Sequence, residues 1–311
     1  MYSGASNFVT TTDTAFAVII GISVIFLVGI TATMLWFVYR YNKKRNPVAT
    51  QIHGSNTLEI VWTVIPTILV LIMFFYGWSG YSPMKKAPED AMKVRATARM
   101  WSWLFEYENG IKTDTLYIPV NKAVALDLIS VDVIHSLYIP AFRVKEDMVP
   151  GKTNKMWFIG QKEGNYELFC TEYCGLSHSY MFTEVKVLPQ QEFDTWYAAM
   201  ADTSKQSAMA AKPGAAGRRL VQVNGCLACH SADGTKLIGP TFKGLYGKAH
   251  TVITGNSERE IIADDDYIIK SIYEPNEDIV KGYVKGQMIS YKEQLSKEDI
   301  AHIIEYLKTL E

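Results

Sequence analysis

The chain has 311 residues, 48% hydrophobic and 20% charged, with a net charge of −1. That length allows two or three domains, and the balanced charge gives no reason to invoke nucleic acid. Mean hydropathy is near zero, which suits neither a wholly soluble chain nor a polytopic one, so a small membrane part with larger soluble parts is expected.

Residues 15–39 carry no charge and are long enough to cross a bilayer as a helix. A signal peptide would show a basic segment before the stretch and small residues after it, and this stretch has neither. A second uncharged stretch spans about 60–81, with Pro66 in its first turns, where a membrane helix tolerates proline. Trp36, Tyr39 and Tyr41 at one end, and Trp78 and Tyr81 at the other, suit interfacial aromatic belts. Arg40, Lys43, Lys44 and Arg45 lie between the stretches. The positive-inside rule puts that loop in the cytoplasm, so the N-terminus and everything after Tyr81 face outward. Glu59 opens the second span, either as a functional acid or as a charge favoured by the helix N-terminus.

Residues 83–190 read as β. Val94–Ala98, Val124–Val131, Lys155–Ile159 and Phe182–Val187 alternate or run apolar, and Asn109-Gly110, Pro150-Gly151 and Glu163-Gly164-Asn165 mark turns. A compact antiparallel sandwich or barrel is expected. Residues 191–200 read as a short helix, and 201–216 as a flexible linker of Ala, Ser, Lys, Gln, Pro and Gly. Residues 217–311 read as helical. Asp264-Asp-Asp precedes an apolar run, and Ser296-Lys-Glu-Asp299 forms a capping box ahead of Ile300, Ile303, Ile304 and Leu307. The acids from Glu258 to Asp278 read as a solvated face. The divisions are 1–82, 83–200, 201–216 and 217–311.

All four cysteines fall into two metal-site motifs. Cys170, Cys174, His178 and Met181 bring two thiols, an imidazole and a thioether into twelve residues, a donor set that copper favours. Two thiolates can bridge two copper ions, each of which then needs one imidazole. His178 supplies one, and His135 is the only other histidine in 83–190. Met181 is spaced for a weak axial contact. A Cys170–Cys174 disulfide is the alternative, and it leaves the histidine and methionine spacing unexplained. Cys226-Leu-Ala-Cys229-His230 is a haem c attachment motif: two thioethers and a proximal imidazole. Met288, the only methionine after His230, is the expected opposite axial ligand. His250 is the rival, and His302 reads as helix surface. Such haem is attached outside the cytoplasm, which independently exports the C-terminal part into an oxidising compartment. Two one-electron centres imply a chain that moves electrons.

His135 followed by C-x-E-x-C-x-x-x-H-x-x-M, with Leu58–Pro66, the aromatic run Trp101–Tyr107 and Asp132-Val-Ile-His135-Ser, resembles subunit II of haem–copper cytochrome c oxidases over residues 15–200. Residues 217–311, with Gly239-Pro-Thr-Phe-Lys-Gly-Leu, resemble a class I cytochrome c. A cytochrome c fused behind subunit II is the arrangement of the caa3-type oxidases. The resemblance implies a multi-domain membrane protein: a two-helix transmembrane hairpin, an all-β cupredoxin-like CuA domain and an all-α class I cytochrome c domain. It implies bridging Cys170 and Cys174, terminal His135 and His178, and Met181 axial to one copper. The Glu172 backbone carbonyl would serve the other copper, and its carboxylate a Mg²⁺ shared with subunit I. Phe182 stands where family members often have proline. Glu59 maps to the mouth of the K proton pathway. Trp101 maps to the tryptophan through which soluble cytochrome c feeds electrons, Trp101 and Trp103 being otherwise barrel core. As an exposed indole beside the copper loop, Trp101 is also the expected landing point for a reversibly docking cytochrome domain.

The implied role is the electron-input subunit of a terminal oxidase, passing electrons from haem c to CuA and on to an oxygen-reducing subunit I. The implied partners are subunit I, further oxidase subunits, membrane lipid, and an upstream donor of the quinol–cytochrome c reductase or soluble cytochrome kind. The implied location is the bacterial cell (inner) membrane, with both soluble domains outside. The same residues would also serve a CuA and cytochrome subunit of a nitric oxide reductase. A copper chaperone or free electron carrier fits the covalent haem, the two-metal ligand set and the hairpin less well.

Overall fold

The computed structural model describes residues 4–48, 50, 51, 53–201 and 213–310, so most of the expected linker lies outside the described residues. Two long helices, α1 (Val9–Arg40) and α2 (Asn56–Tyr81), form an antiparallel hairpin in which Thr11 lies beside Gly80. Helix α1 starts six residues before the uncharged stretch because polar Thr10–Asp13 extend it. Both helices are long and apolar enough to cross a membrane, and their large side chains, such as Ile25, Leu27 and Phe74, are exposed. A helix apolar all round needs lipid or another subunit against it.

The start of α1 is tied to the β domain. Ala5 N–H donates to the Ala141 carbonyl (2.9 Å), the Ser6 hydroxyl to the Phe142 carbonyl (2.7 Å), and Arg143 pairs with Asp13 (2.7 Å). The β domain follows η-turn 82–85 and sits at the same end of the hairpin.

Ten strands form this domain: β1 (Met92–Arg99), β2 (Ser102–Tyr107), β3 (Lys112–Thr113), β4 (Leu116–Pro119), β5 (Ala123–Ser130), β6 (His135–Ile139), β7 (Val144–Met148), β8 (Asn154–Ile159), β9 (Gly164–Cys170) and β10 (Phe182–Leu188). They form two five-stranded sheets, in the orders β3-β2-β1-β5-β8 and β4-β10-β9-β6-β7. The sandwich is as expected, but not wholly antiparallel: β1 runs parallel to β5, and β4 to β10. Parallel neighbours need a crossover between them, and here other strands supply it, which alternation along single strands does not reveal. Inward residues interdigitate, among them Phe105, Leu126 and Phe158 from one sheet and Ile118, Leu137 and Leu168 from the other, all at 1% exposure or less. Helix α3 (Gln190–Ala201) closes one end, where Trp196 stacks on Tyr117 at 4.3 Å.

The C-terminal part is helical as expected, with α4 (Ala215–Val223), α5 (Asp265–Tyr273) and α6 (Lys297–Leu307). Asp264 caps α5 and the Ser296–Asp299 capping box opens α6. Helices α4 and α6 cross at Gly217, where a Cβ would stand 1.8 Å from the His302 carbonyl oxygen. Only glycine permits that approach. The part also holds a sheet that the sequence reading does not anticipate: β11 (Ala249–Thr254), β12 (Ser257–Ile262) and β13 (Asp278–Val280), ordered β12-β11-β13. Thr251–Thr254 followed by Gly255-Asn256 was the available hairpin signal.

The acids from Glu258 to Asp278 are therefore not all a solvated face. The Asp278 side chain is 3% exposed. It accepts from Thr254 and from Arg259 (2.7 Å) and Lys270 (3.2 Å), joining β11, β12, β13 and α5. Burial alone would raise its pKa, but these donors win and hold it down at about 2. A depressed carboxylate contributes stability above its unfolded pKa and loses it as pH falls through its folded one. Asp278→Asn should cost about 2 kcal/mol at neutral pH and flatten the loss of stability between about pH 4 and pH 2. Denaturant titrations across that range, on both proteins, check this.

Candidate functional site

Strand β9 ends on Cys170 and β10 begins after Met181, so residues 171–181 form the connecting loop. The loop is closed at its base, where Cys170 N–H donates to the Met181 carbonyl and Thr171 N–H to the Ser136 carbonyl, both at 3.1 Å. Because β6 pairs with β9, His135 at the start of β6 is brought against Cys170. The Cys170 Sγ lies 3.7 Å from the His135 Nδ1 and 3.7 Å from the Cys174 Sγ. The Cys174 Sγ in turn lies 3.4 Å from the His178 Nδ1 and 3.8 Å from the Met181 Sδ. The Glu172 carbonyl oxygen is 3.3 Å from the Cys170 Sγ. All six expected copper ligands thus stand around one pair of sulfurs. No disulfide joins them, and the sulfur separation is too long for one.

Electrostatics separates the two thiols. Burial raises both. At Cys170, hydrogen bonds from His135 and from the Ser136 and Glu172 backbone overcome it and bring the thiol down to about 7. At Cys174 the Cys170 sulfur adds to burial and pushes the thiol up to about 12. Two adjacent buried thiolates repel, so both ionise together only with cations between them. Soft donors with imidazole, set around a dithiol that needs compensating positive charge, fit copper.

The sequence motif contained Asp132 without revealing its work. One carboxylate oxygen accepts from His135 Nε2 (2.8 Å), and the other from Met100 N–H (2.6 Å). The first contact holds the ring with Nδ1 facing the sulfurs, where a neutral ring would offer that nitrogen to a metal. Glu172 turns its side chain away from the sulfurs. Its carboxylate is half-exposed and pairs with Lys145 at 3.2 Å. It lies outside the His135–Cys170–Cys174 cluster, so a Mg²⁺ there would need its other ligands from elsewhere.

The second site is a crevice whose wall includes Cys226, Cys229, His230 and Met288. His230 Nδ1–H donates to the Pro240 carbonyl (2.7 Å), and its ring stacks on Phe242 at 4.7 Å. Burial holds its pKa below the ordinary imidazole range, so a neutral ring presents Nε2 as a ligand. The two cysteines are free thiols, pushed up by burial to about 12 and about 11. The apolar wall, the two thiols and the His230 and Met288 side chains fit a covalently held haem. His250 does not compete. It lies in β11 away from the crevice wall, with its buried Nε2 unpartnered among the described residues. His302 lies on the partly exposed face of α6 beside Glu305.

The two sites abut. Met100, from the β domain, is part of the crevice wall. Next to it Trp101 is 3% exposed, against the expectation of an exposed indole. Its Nε1–H donates to the Cys174 carbonyl (3.1 Å) and its ring lies against Gly175, so it is packed into the copper loop rather than displayed on it. Trp103 is core, with its Nε1 unpartnered among the described residues. Glu59 is exposed in the first turn of α2, remote from both sites. Phe182 is exposed and displaces no ligand.

The family model of the cytochrome c oxidase subunit II transmembrane domain matches residues 1–79, that of its periplasmic domain 110–188, and that of cytochrome c 214–311. Cytochrome c oxidase subunit 2 of Alkalihalophilus pseudofirmus is 30% identical over 311 residues, covering 94% of this chain and 85% of that protein. The chain belongs to the cytochrome c oxidase subunit II family. Its cytochrome c domain is aligned within that relative's span. Subunit 2 of Cereibacter sphaeroides is also 30% identical, over 54% of this chain and 68% of that protein. The crystal structure of the periplasmic domain of subunit II of cytochrome oxidase (CoxB) of Bradyrhizobium japonicum is 29% identical, with a TM-score of 0.36, over 39% of this chain and 99% of that one. As a subunit II, the chain is membrane-anchored through α1 and α2.

In the haem-loaded, copper-free chain, one proton should leave the Cys170–Cys174 pair below the ordinary thiol range and the second well above it. Ultraviolet thiolate absorbance against pH checks this. Two thiolates appearing together in the ordinary thiol range would contradict it.

Proposed function

We propose that this chain is the electron-input subunit of a proton-translocating terminal oxidase, relaying electrons from its own haem c to its own CuA site and on to an oxygen-reducing subunit I. Cys226 and Cys229 would hold the haem, and His230 and Met288 would supply its iron ligands. His135, Cys170, Cys174, His178, Met181 and the Glu172 carbonyl hold two copper ions. When bound, both groups supply one-electron couples, and a copper pair sharing one electron reorganises little as it reacts. The oxygen-reducing site is on the partner chain.

One observation carries this reading: the crevice wall residue Met100 is covalently next to Trp101, whose indole donates to the carbonyl of the copper-ligand candidate Cys174. Met100 N–H also reaches His135 through the Asp132 carboxylate. The chain thus supplies two short connections, each of bonds and one or two hydrogen bonds, between the sites. Trp101 accordingly conducts from within the fold, and the contact surface belongs to Met100. Two separate single-electron proteins would have no reason to share a wall.

The remaining assignments extend the same reading. The domain limits are 1–82, 83–200 and 217–311, with a linker at 201–216. The Arg40–Arg45 loop faces the cytoplasm. The contacts tying residues 5–13 to the β domain support the N-terminus and both soluble domains lying together on the other side. Glu59, at the cytoplasmic end of α2, is assigned to proton delivery toward subunit I, and its charge also suits the helix N-terminus. Glu172 is assigned as one Mg²⁺ ligand at the subunit I face. The upstream donor is a quinol–cytochrome c reductase or a soluble cytochrome. The relatives named as cytochrome c oxidases favour oxygen over nitric oxide as the partner's substrate.

Metal analysis of the purified complex should give two copper ions for this chain, with a delocalised mixed-valence signal that Cys170→Ser or Cys174→Ser abolishes. One copper would contradict the binuclear assignment. Met288→Ala should lower the haem potential and remove the sulfur-to-iron band of the oxidised protein, since thioether ligation favours the ferrous state. Persistence of that band would exclude Met288.

A further inference from the structure

The turn between the two membrane helices gathers charge of one sign at one depth. From Thr14 to Leu58 the sequence has no acid, and its lysines and arginines there are Arg40, Lys43, Lys44 and Arg45. All four are exposed. The turn that carries them has a defined shape. Tyr41 N–H donates to the Phe37 carbonyl at 2.8 Å, and the Asn42 Oδ1 accepts from the Lys44 and Arg45 N–H groups at 3.1 and 3.2 Å. The Asn46 side chain closes it by donating to the Arg40 carbonyl. The two arginines lie against rings: the Arg45 guanidinium is 3.6 Å from the Tyr39 ring centre, and that of Arg40 is 5.5 Å from the Tyr41 ring centre. A guanidinium held by its face keeps its N–H edge for the paired oxygens of a phosphate.

Helix length sets the depth. Residues 15–39 make about 38 Å of helix and residues 60–81 about 33 Å, against a hydrocarbon core of about 30 Å. The excess puts Trp36, Tyr39 and Tyr41 in the headgroup layer, where amphipathic rings settle, and the Arg40–Arg45 turn at the level of the lipid phosphates. The charge also exceeds what a helix end calls for. A helix C-terminus carries about half a negative charge, felt within its last turn, and Arg40 alone lies in that turn. The opposite end of the hairpin mixes its signs, with Asp13 paired to Arg143.

We propose that the Arg40–Arg45 turn is a binding site for the phosphate headgroup of an anionic glycerophospholipid. The four cations attract its net charge, and the ring-held guanidinium of Arg45 orients its phosphate oxygens. A zwitterionic headgroup brings its own ammonium into the same field and gains less. Each lysine or arginine at this depth adds about fivefold to the affinity for anionic lipid. The site depends neither on the electron relay proposed above nor on which leaflet the turn faces.

The test is photo-crosslinking of the intact complex in nanodiscs of phosphatidylcholine, doped with a photoreactive phosphatidylglycerol or, in parallel, a photoreactive phosphatidylcholine. Peptide mapping should find the phosphatidylglycerol probe on residues 36–48 at least about tenfold above the phosphatidylcholine probe, with a smaller ratio on residues 76–86 at the other end of α2. Equal labelling of 36–48 by the two probes would overturn the proposal, as would no labelling because an acidic segment of another subunit covers the turn. Lys43→Gln, Lys44→Gln and Arg45→Gln are made one at a time, so that the other cations still hold the orientation of the hairpin. Each should cut the ratio about fivefold, and three unchanged ratios would overturn the proposal. Inorganic phosphate separates a lipid site from one for the free ion. At equal ionic strength it should displace the phosphatidylglycerol probe no more than chloride does, and stronger displacement would overturn the lipid assignment.

Discussion

Two thiols side by side in a buried site cannot both be charged unless cations stand between them. The Cys170–Cys174 pair imposes that constraint, and the β domain is arranged to meet it. Pairing of β6 with β9 delivers His135 to one sulfur, and the short 178–180 turn delivers His178 to the other. Met181 is folded back at 1% exposure by the Cys170–Met181 backbone bond. Asp132 fixes the His135 ring from behind. The sandwich supplies rigidity at the strand ends, and the loop supplies the ligands, the usual division between scaffold and site.

The second consequence is proximity. A turn at the end of β1 does three things within three residues. Arg99 reaches the haem domain, Met100 lines the haem crevice, and Trp101 contacts the copper loop. On the proposed reading, tethering gives the haem a high effective concentration at that turn.

Much of this was legible in the sequence, because residue types able to bind metal are few and their spacing is narrow. The C-x-E-x-C-x-x-x-H-x-x-M run and the C-x-x-C-H motif name the candidates, and the structure brings the residues of each set close together. The hairpin followed from two uncharged stretches, and α6 from its capping box and apolar spacing. What was not legible depends on contacts between distant segments. The burial of Trp101 comes from the Cys174 carbonyl, 73 positions away. The partner of Arg99 is 195 positions away. Asp278 looked like one acid among several until β12 and α5 placed Arg259 and Lys270 beside it. The parallel pairs β1–β5 and β4–β10 were hidden for a related reason, since alternation reports which face a side chain takes and not which strand lies alongside.

Intramolecular electron transfer in the full, metal-loaded complex tests the central claim most directly. After flash reduction of the haem, the account predicts first-order transfer to copper at a rate independent of protein concentration and nearly independent of salt. A rate that rises in proportion to protein concentration would mean that electrons reach the copper from other molecules, and would contradict the relay within one chain.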